Sequence, residues 1–295
     1  MSTQGNKAML TTLIDNLGFA EGLRWHEGKL WFADFITRKV QSFTFDGDEG
    51  KLAREAFVLG QPSGLGFMPD GSALVVSMMD KKLLRFEAEQ LHFVADLAPL
   101  SRYPCNDMLV DQNGHAYIGT FSHDVWYAPA PTTPPTCSLL HVTPNGKVSI
   151  AASGLKMPNG IVRLPNRNIM VVAETGANRL VAFDVKPDGS LDRQRVFADL
   201  GSIQPDGICV NAEGDIWVAG LYANEFLLVR EGGHILQRIS TPGRWAVTCA
   251  LGGNDGHSLF CATTKVNQAN DMGQGRCTSA IECIDVAVPA ACHRV

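Results

Sequence analysis

The sequence predicts an all-β fold, a six-bladed β-propeller, and three observations carry that expectation. A similar stretch opens six times, at Glu21-Gly22, Ser63-Gly64, Asn106-Asp107, Asn159-Gly160, Asp206-Gly207 and Val247-Thr248. The openings lie roughly 40–50 residues apart, the size of a propeller blade. Each is followed by short apolar runs and Gly turns, with no helix-length periodicity between them. A β-sandwich has comparable strand spacing but no such repeat.

The elements follow in order. Leu10 to Asn16 reads as a short strand left over at the front, placed to pair into the last blade and close the ring. The first unit runs from Ala20 to Trp25, turns at Glu27-Gly28, and continues through Leu30 to Asp34 and Lys39 to Phe45. The last two runs alternate apolar and polar residues, as half-buried strands do. The second unit turns at Pro69-Asp70-Gly71 and the third at Asn113-Gly114. An insertion, 122–136, then lengthens one interval. Its run of prolines excludes a central strand, so it is expected as a loop overhanging one end of the ring. The fourth unit turns at Pro187-Asp188-Gly189, the fifth at Glu213-Gly214 and the sixth at Asn254-Asp255-Gly256. Six units fill the chain, so one domain is expected over residues 1–295.

Composition narrows the function classes. Hydrophobic residues make up 45% and charged residues 19% of the 295, with 29 Gly and 15 Pro, which fits a compact, turn-rich chain. The net charge is -5 and no basic block occurs. Nucleic acid is therefore not the expected partner, since such binding draws on Lys and Arg contacts to phosphate. Apolar runs are strand-sized, which predicts no membrane span, and the polar start carries no apolar signal core. A cytoplasmic protein, monomer or homodimer, acting on a small molecule is expected. The eight Cys show no CxxC spacing, and free thiols are expected.

In a closed ring the first strand of each unit lines the axis, so equivalent positions converge. Glu21, Asn106, Asn159 and Asp206 then aim two carboxylates and two amide oxygens at one spot. That hard, oxygen-only set suits Ca²⁺, Mg²⁺ or Mn²⁺ better than a thiolate metal. A lone Asn-Gly or Asp-Gly is ordinarily a turn; four such residues at equivalent repeat positions are not explained that way. Ser63 enters the channel from the second unit, either lining the pocket or only packing there. His123-Asp124 reads as a solvated loop pair or as part of the pocket mouth. Trp126 and Tyr127 in the same loop offer an apolar lid, and Met78-Met79 is a further apolar pair for an aromatic or aliphatic ligand. No GxSxG, HExxH or phosphate-binding Gly loop is present.

The stretch from Ala20 to Asp34 resembles the opening of the senescence-marker-protein/gluconolactonase family, the regucalcin-like proteins. So do Asn106-Asp107 with Val110-Asp111, Pro158-Asn159-Gly160, and Pro205-Asp206-Gly207-Ile208-Cys209 with Gly214 to Ala219. The matches run in order over nearly the whole chain. The resemblance implies a six-bladed propeller that hydrolyses lactones, often sugar lactones, with one divalent cation in the channel. Ca²⁺ ranks first, with Zn²⁺, Mg²⁺ and Mn²⁺ as alternatives. It implies Glu21, Asn159 and Asp206 as metal ligands and Asn106 as a substrate contact that also serves the metal in some relatives. Asp206 is also implied as general base, with metal-bound hydroxide left open as the alternative nucleophile. Arg102 is similar to a substrate-binding Arg, although Tyr103-Pro104-Cys105 separate it from Asn106. Ser63, His123 and Trp126 complete the expected pocket. Phosphotriester hydrolysis, a lyase or isomerase reaction on the same site, and a non-enzymatic calcium-binding propeller stay open beside the lactonase.

Overall fold

The computed structural model describes residues 10–46, 49–124, 132–133, 135–266, 271 and 274–291. Among them lie six four-stranded antiparallel sheets arranged as a six-bladed β-propeller. The first blade is Ala20–His26, Lys29–Asp34, Lys39–Asp46 and Glu49–Phe57, ordered outward from the axis. The inner strands of the next five blades are Pro62–Phe67, Cys105–Val110, Pro158–Arg163, Pro205–Val210 and Trp245–Gly252. Each packs against its neighbour around the axis, and the sixth packs against the first. The last blade takes its outermost strand from the front of the chain, where Thr11–Leu17 pairs with Cys277–Asp285. The leading strand thus ties both ends of the chain into one sheet, as expected.

Burial falls off radially, and the sequence of each strand follows from its place. The second strands are sandwiched between adjacent blades. Ala73–Ser77, Ala116–Thr120 and Ile216–Gly220 are buried at every residue, so they read as continuous apolar runs. The outermost strands face solvent: in His234–Ser240 only Ile239 is buried. The core lies between the blades, with Val171, Val218 and Leu227 in one cluster and Phe32, Leu30 and Phe260 in another.

The inner strands share one irregularity. In the second to fifth blades, two inner-strand residues face a single residue of the next strand: Ser63-Gly64, Asn106-Asp107, Asn159-Gly160 and Asp206-Gly207. In the first blade the bulge opens directly after Glu21, and in the sixth it holds Val247 alone. Bulges of this kind re-aim a side chain and interrupt the ladder locally.

The glycine after the bulged residue is required by close approach. A Cβ on Gly160 would lie 2.5 Å from Ile208 N and 2.8 Å from Asp206 O. Gly22 has φ +61°, and its Cβ would lie 2.7 Å from Ser63 O. The next blade's backbone fills the space, so Gly160→Ala must push the fourth and fifth blades apart. The expected cost is about 1–3 kcal/mol, read as a fall in Tm of roughly 5 °C. An unchanged Tm would mean that the inner strands do not approach this closely.

Candidate active site

The six bulges stack the predicted ring residues at one end of the channel. Glu21 and Asp206 keep some exposure, while Asn106, Asn159 and Ser63 are buried. Val247, the sixth member, is buried and apolar. Polar groups therefore come from five blades and leave the sixth side of the ring greasy.

Neighbouring groups hold the two amides in place. Asn106 Nδ2 donates to Pro158 O at 3.4 Å. Asn159 Nδ2 donates to Thr175 Oγ1 at 3.3 Å, and that hydroxyl donates to Pro205 O at 2.7 Å. With their nitrogens turned to the protein, the amide oxygens remain for a ligand.

The carboxylates are electrostatically uncomfortable. Burial pushes Glu21 well above the ordinary carboxylate range, and the charges of Asp206 and Asp107 push it further; the neighbouring Ser63 hydroxyl opposes the shift. Burial, then the Asp107 charge, does the same to Asp206, opposed by a hydrogen bond from Asn159. Glu21 Oε1 is sealed from solvent without a hydrogen-bond partner, as is Thr248 Oγ1 in the sixth blade. An unpaired buried oxygen of this kind calls for a proton or a cation. Among the described residues no three His, Cys, Asp or Glu side chains group as metal ligands. A cation here would need the amide oxygens as well as the two carboxylates, an all-oxygen donor set that suits a hard ion.

One level below, Arg24 pairs with Asp107. Its Nη2 lies 2.8 Å from Asp107 Oδ1 and also donates to Met108 O, while Nη1 donates to Leu23 O at 2.7 Å. The guanidinium is committed to the protein and braces the third carboxylate. Nothing in the sequence singled out Arg24. Its residue type is ordinary, and only the bulge brings it across from Asp107.

The other expected residues fare differently. Ser63 lies beside Glu21, fully buried. Arg102 is exposed, with its guanidinium 5.3 Å from the Tyr103 ring centre and its carbonyl accepting from Lys81. Those contacts hold it to its own loop. His123 is partly buried, its Nδ1 3.1 Å from Ser122 Oγ, and burial pushes it below the ordinary histidine range. Trp126 and Tyr127 lie outside the described residues. Tyr222, not anticipated, stands at the rim with more than half its surface exposed; its phenol is pushed up by the protein crowded round it and then by the charge of Asp206. Its ring meets Trp245 edge-on at 4.7 Å. Neither residue sits in a repeat motif that reading by pattern would find.

Residues 19–265 match the family described as the SMP-30/Gluconolactonase/LRE-like region. The chain belongs to this family. Among curated relatives, the 6-deoxy-6-sulfogluconolactonase of Pseudomonas putida is 26% identical over 167 residues. That match covers 56% of this chain and 55% of the relative, so it spans only about half of that protein's length. The pentonolactonase of Haloferax volcanii is 21% identical over 272 residues, 90% of this chain and 89% of the relative. Among solved structures, a calcium-binding regucalcin of Agrobacterium tumefaciens superposes with TM-score 0.75 at 20% identity, covering 96% of this chain and 97% of that one. At that identity the likeness speaks to the fold alone. Among the described residues no helix is long and apolar enough to cross a membrane, and every described cysteine is a free thiol.

Proposed function

We propose that this family member is a divalent-cation-dependent lactonase. The observation that supports it most is the sealed, unpartnered Oε1 of Glu21 set among Asp206 and two oriented amides. A propeller that binds only other proteins has no use for two partly buried carboxylates that repel each other in its channel. Glu21, Asn159 and Asp206, with Asn106, would hold the cation, Ca²⁺ first. When bound, a hard cation supplies Lewis-acid polarisation of a carbonyl oxygen.

The chain's own residues supply the rest. Asp206 accepts a proton from water as the water oxygen bonds to the acyl carbon. The bond from that carbon to the ring oxygen then breaks. The ring oxygen takes back that proton from Asp206, which returns to its carboxylate, and the product is a hydroxy acid. Burial and Asp107 raise Asp206, which makes it a better base; a cation acts the opposite way. The raised starting point lets one carboxylate serve both as ligand and as base. Asn106 and Asn159, fixed through their amide nitrogens, would present their oxygens to the cation.

The test strips the protein with chelator, re-adds Ca²⁺, Mg²⁺, Mn²⁺ or Zn²⁺ one at a time, and follows acid release from sugar, aliphatic and aromatic lactones. Cation-dependent hydrolysis is expected. Silence across the panel, with cation bound by calorimetry, would remove the lactonase reading.

A further inference from the structure

A second tier of residues lies directly above the ring. Phe35, Met78, Phe121, Thr175 and Leu221 each follow the last residue of their blade's second strand. Each donates its backbone N–H to the residue two before the ring position: Phe35 to Phe19 O at 3.3 Å, Met78 to Gln61 O at 2.8 Å, Phe121 to Pro104 O at 3.0 Å, Thr175 to Met157 O at 3.2 Å and Leu221 to Gln204 O at 3.0 Å. The five positions are therefore equivalent, one step toward the open end of the channel from Glu21, Ser63, Asn106, Asn159 and Asp206.

Four of the five are large and apolar. Thr175 is the exception, and its hydroxyl is spent on Asn159 and Pro205. Phe35, Met78 and Leu221 form one cluster with Phe19 and with Val247, the apolar ring member itself. Phe121, Met79 and Trp245 pack against that cluster and keep partial exposure. Hence a ligand whose carbonyl reaches the carboxylates meets an apolar collar whose accessible surface comes from Phe121, Met79 and Trp245, with polar groups below it.

Resting on the lactonase reading above, we propose that the substrate is a lactone bearing an apolar substituent, an alkyl chain or an aromatic ring, seated against the partly exposed Phe121, Met79 and Trp245, which Phe35, Met78 and Leu221 back from the core. A polyhydroxylated sugar lactone would place several hydroxyls on this collar, and each one buried without a partner weakens binding. An alkyl chain instead gains with every methylene it buries. The reaction is ordinary ester hydrolysis: lactone and water give a hydroxy carboxylate and a proton, with no other reactant.

The experiment measures kcat/KM of the cation-loaded enzyme on γ-lactones of increasing alkyl length, from γ-valerolactone to γ-nonalactone, and on dihydrocoumarin and glucono-δ-lactone. Expected is a rise of about fourfold per added methylene until the collar is full, with both apolar classes above the sugar lactone. Phe121→Gln should flatten the chain-length slope while leaving cation affinity, read by calorimetry, unchanged. A flat or falling series, or a preference for glucono-δ-lactone, overturns the apolar collar as substrate site and leaves the lactonase standing. Failure on every lactone with cation bound removes the lactonase reading and this proposal together.

Discussion

Asp206→Asn is expected to lower kcat on any accepted lactone by about 10²–10⁴-fold, the range that a positioned acid or base contributes. The substitution preserves side-chain shape and leaves an amide oxygen where a carboxylate oxygen stood. Cation affinity should therefore weaken without vanishing, and the loss should sit in kcat more than in KM. Asn cannot accept the proton of the attacking water. It also removes the largest of the three carboxylate charges that raise Glu21, so Glu21 should titrate nearer its ordinary range in the variant. Steady-state kinetics paired with calorimetric cation titration separates the two effects. Full activity with normal cation affinity would sink the assignment of Asp206 to the site.

How much of this was legible beforehand depends on what each residue must do. The ring positions were readable because the close approach of neighbouring inner strands demands a small residue after the bulge. Gly22, Gly64, Gly160 and Gly207 therefore recur as a signal. The sixth blade was fainter because Thr248 occupies the glycine position and Val247 carries no ligand atom. The outermost strands, such as His234–Ser240 and Leu191–Asp199, are solvated on one side and lose apolar periodicity. At most three runs per unit are visible in the sequence; these outermost strands emerged with the structure, whereas that of the last blade is legible at the front of the chain.

Loop residues were the least legible. Arg102 was carried over by resemblance, but in the structure it stacks on Tyr103 of the same intervening segment. Tyr222 and Trp245 meet edge-on from different blades, and no spacing along the chain encodes such a meeting. The second tier was half visible. Met78 was noticed as an apolar residue, yet its equivalence to Phe35 and Leu221 depends on backbone hydrogen bonds that the sequence does not display.

Glu21→Gln should raise the melting temperature of the cation-stripped protein near neutral pH while removing most of the stabilisation that a cation adds. In the folded state Glu21 titrates well above its ordinary range because of burial and its acidic neighbours; in the unfolded chain it does not. Its contribution to stability is thus fully present below the ordinary carboxylate range, where both states are protonated. It is lost as pH rises through the raised folded value, because the folded state must then carry an uncompensated buried charge. The stripped wild type should accordingly melt lower as pH climbs through that window, and the Gln variant should show a shallower fall. A cation binds the deprotonated form and reverses the loss. At about 100 times Kd it stabilises by ~2.7 kcal/mol, a rise of on the order of 5 °C in Tm for a chain of this size. The comparison is made as the difference between wild type and variant across pH, with and without Ca²⁺, so other carboxylates cancel. Identical pH profiles in the stripped proteins, or an equal Ca²⁺ shift in both, would show that Glu21 is neither strained by burial nor a ligand. The opposite result would mean that folding tolerates a destabilised carboxylate pair here because the bound state requires it.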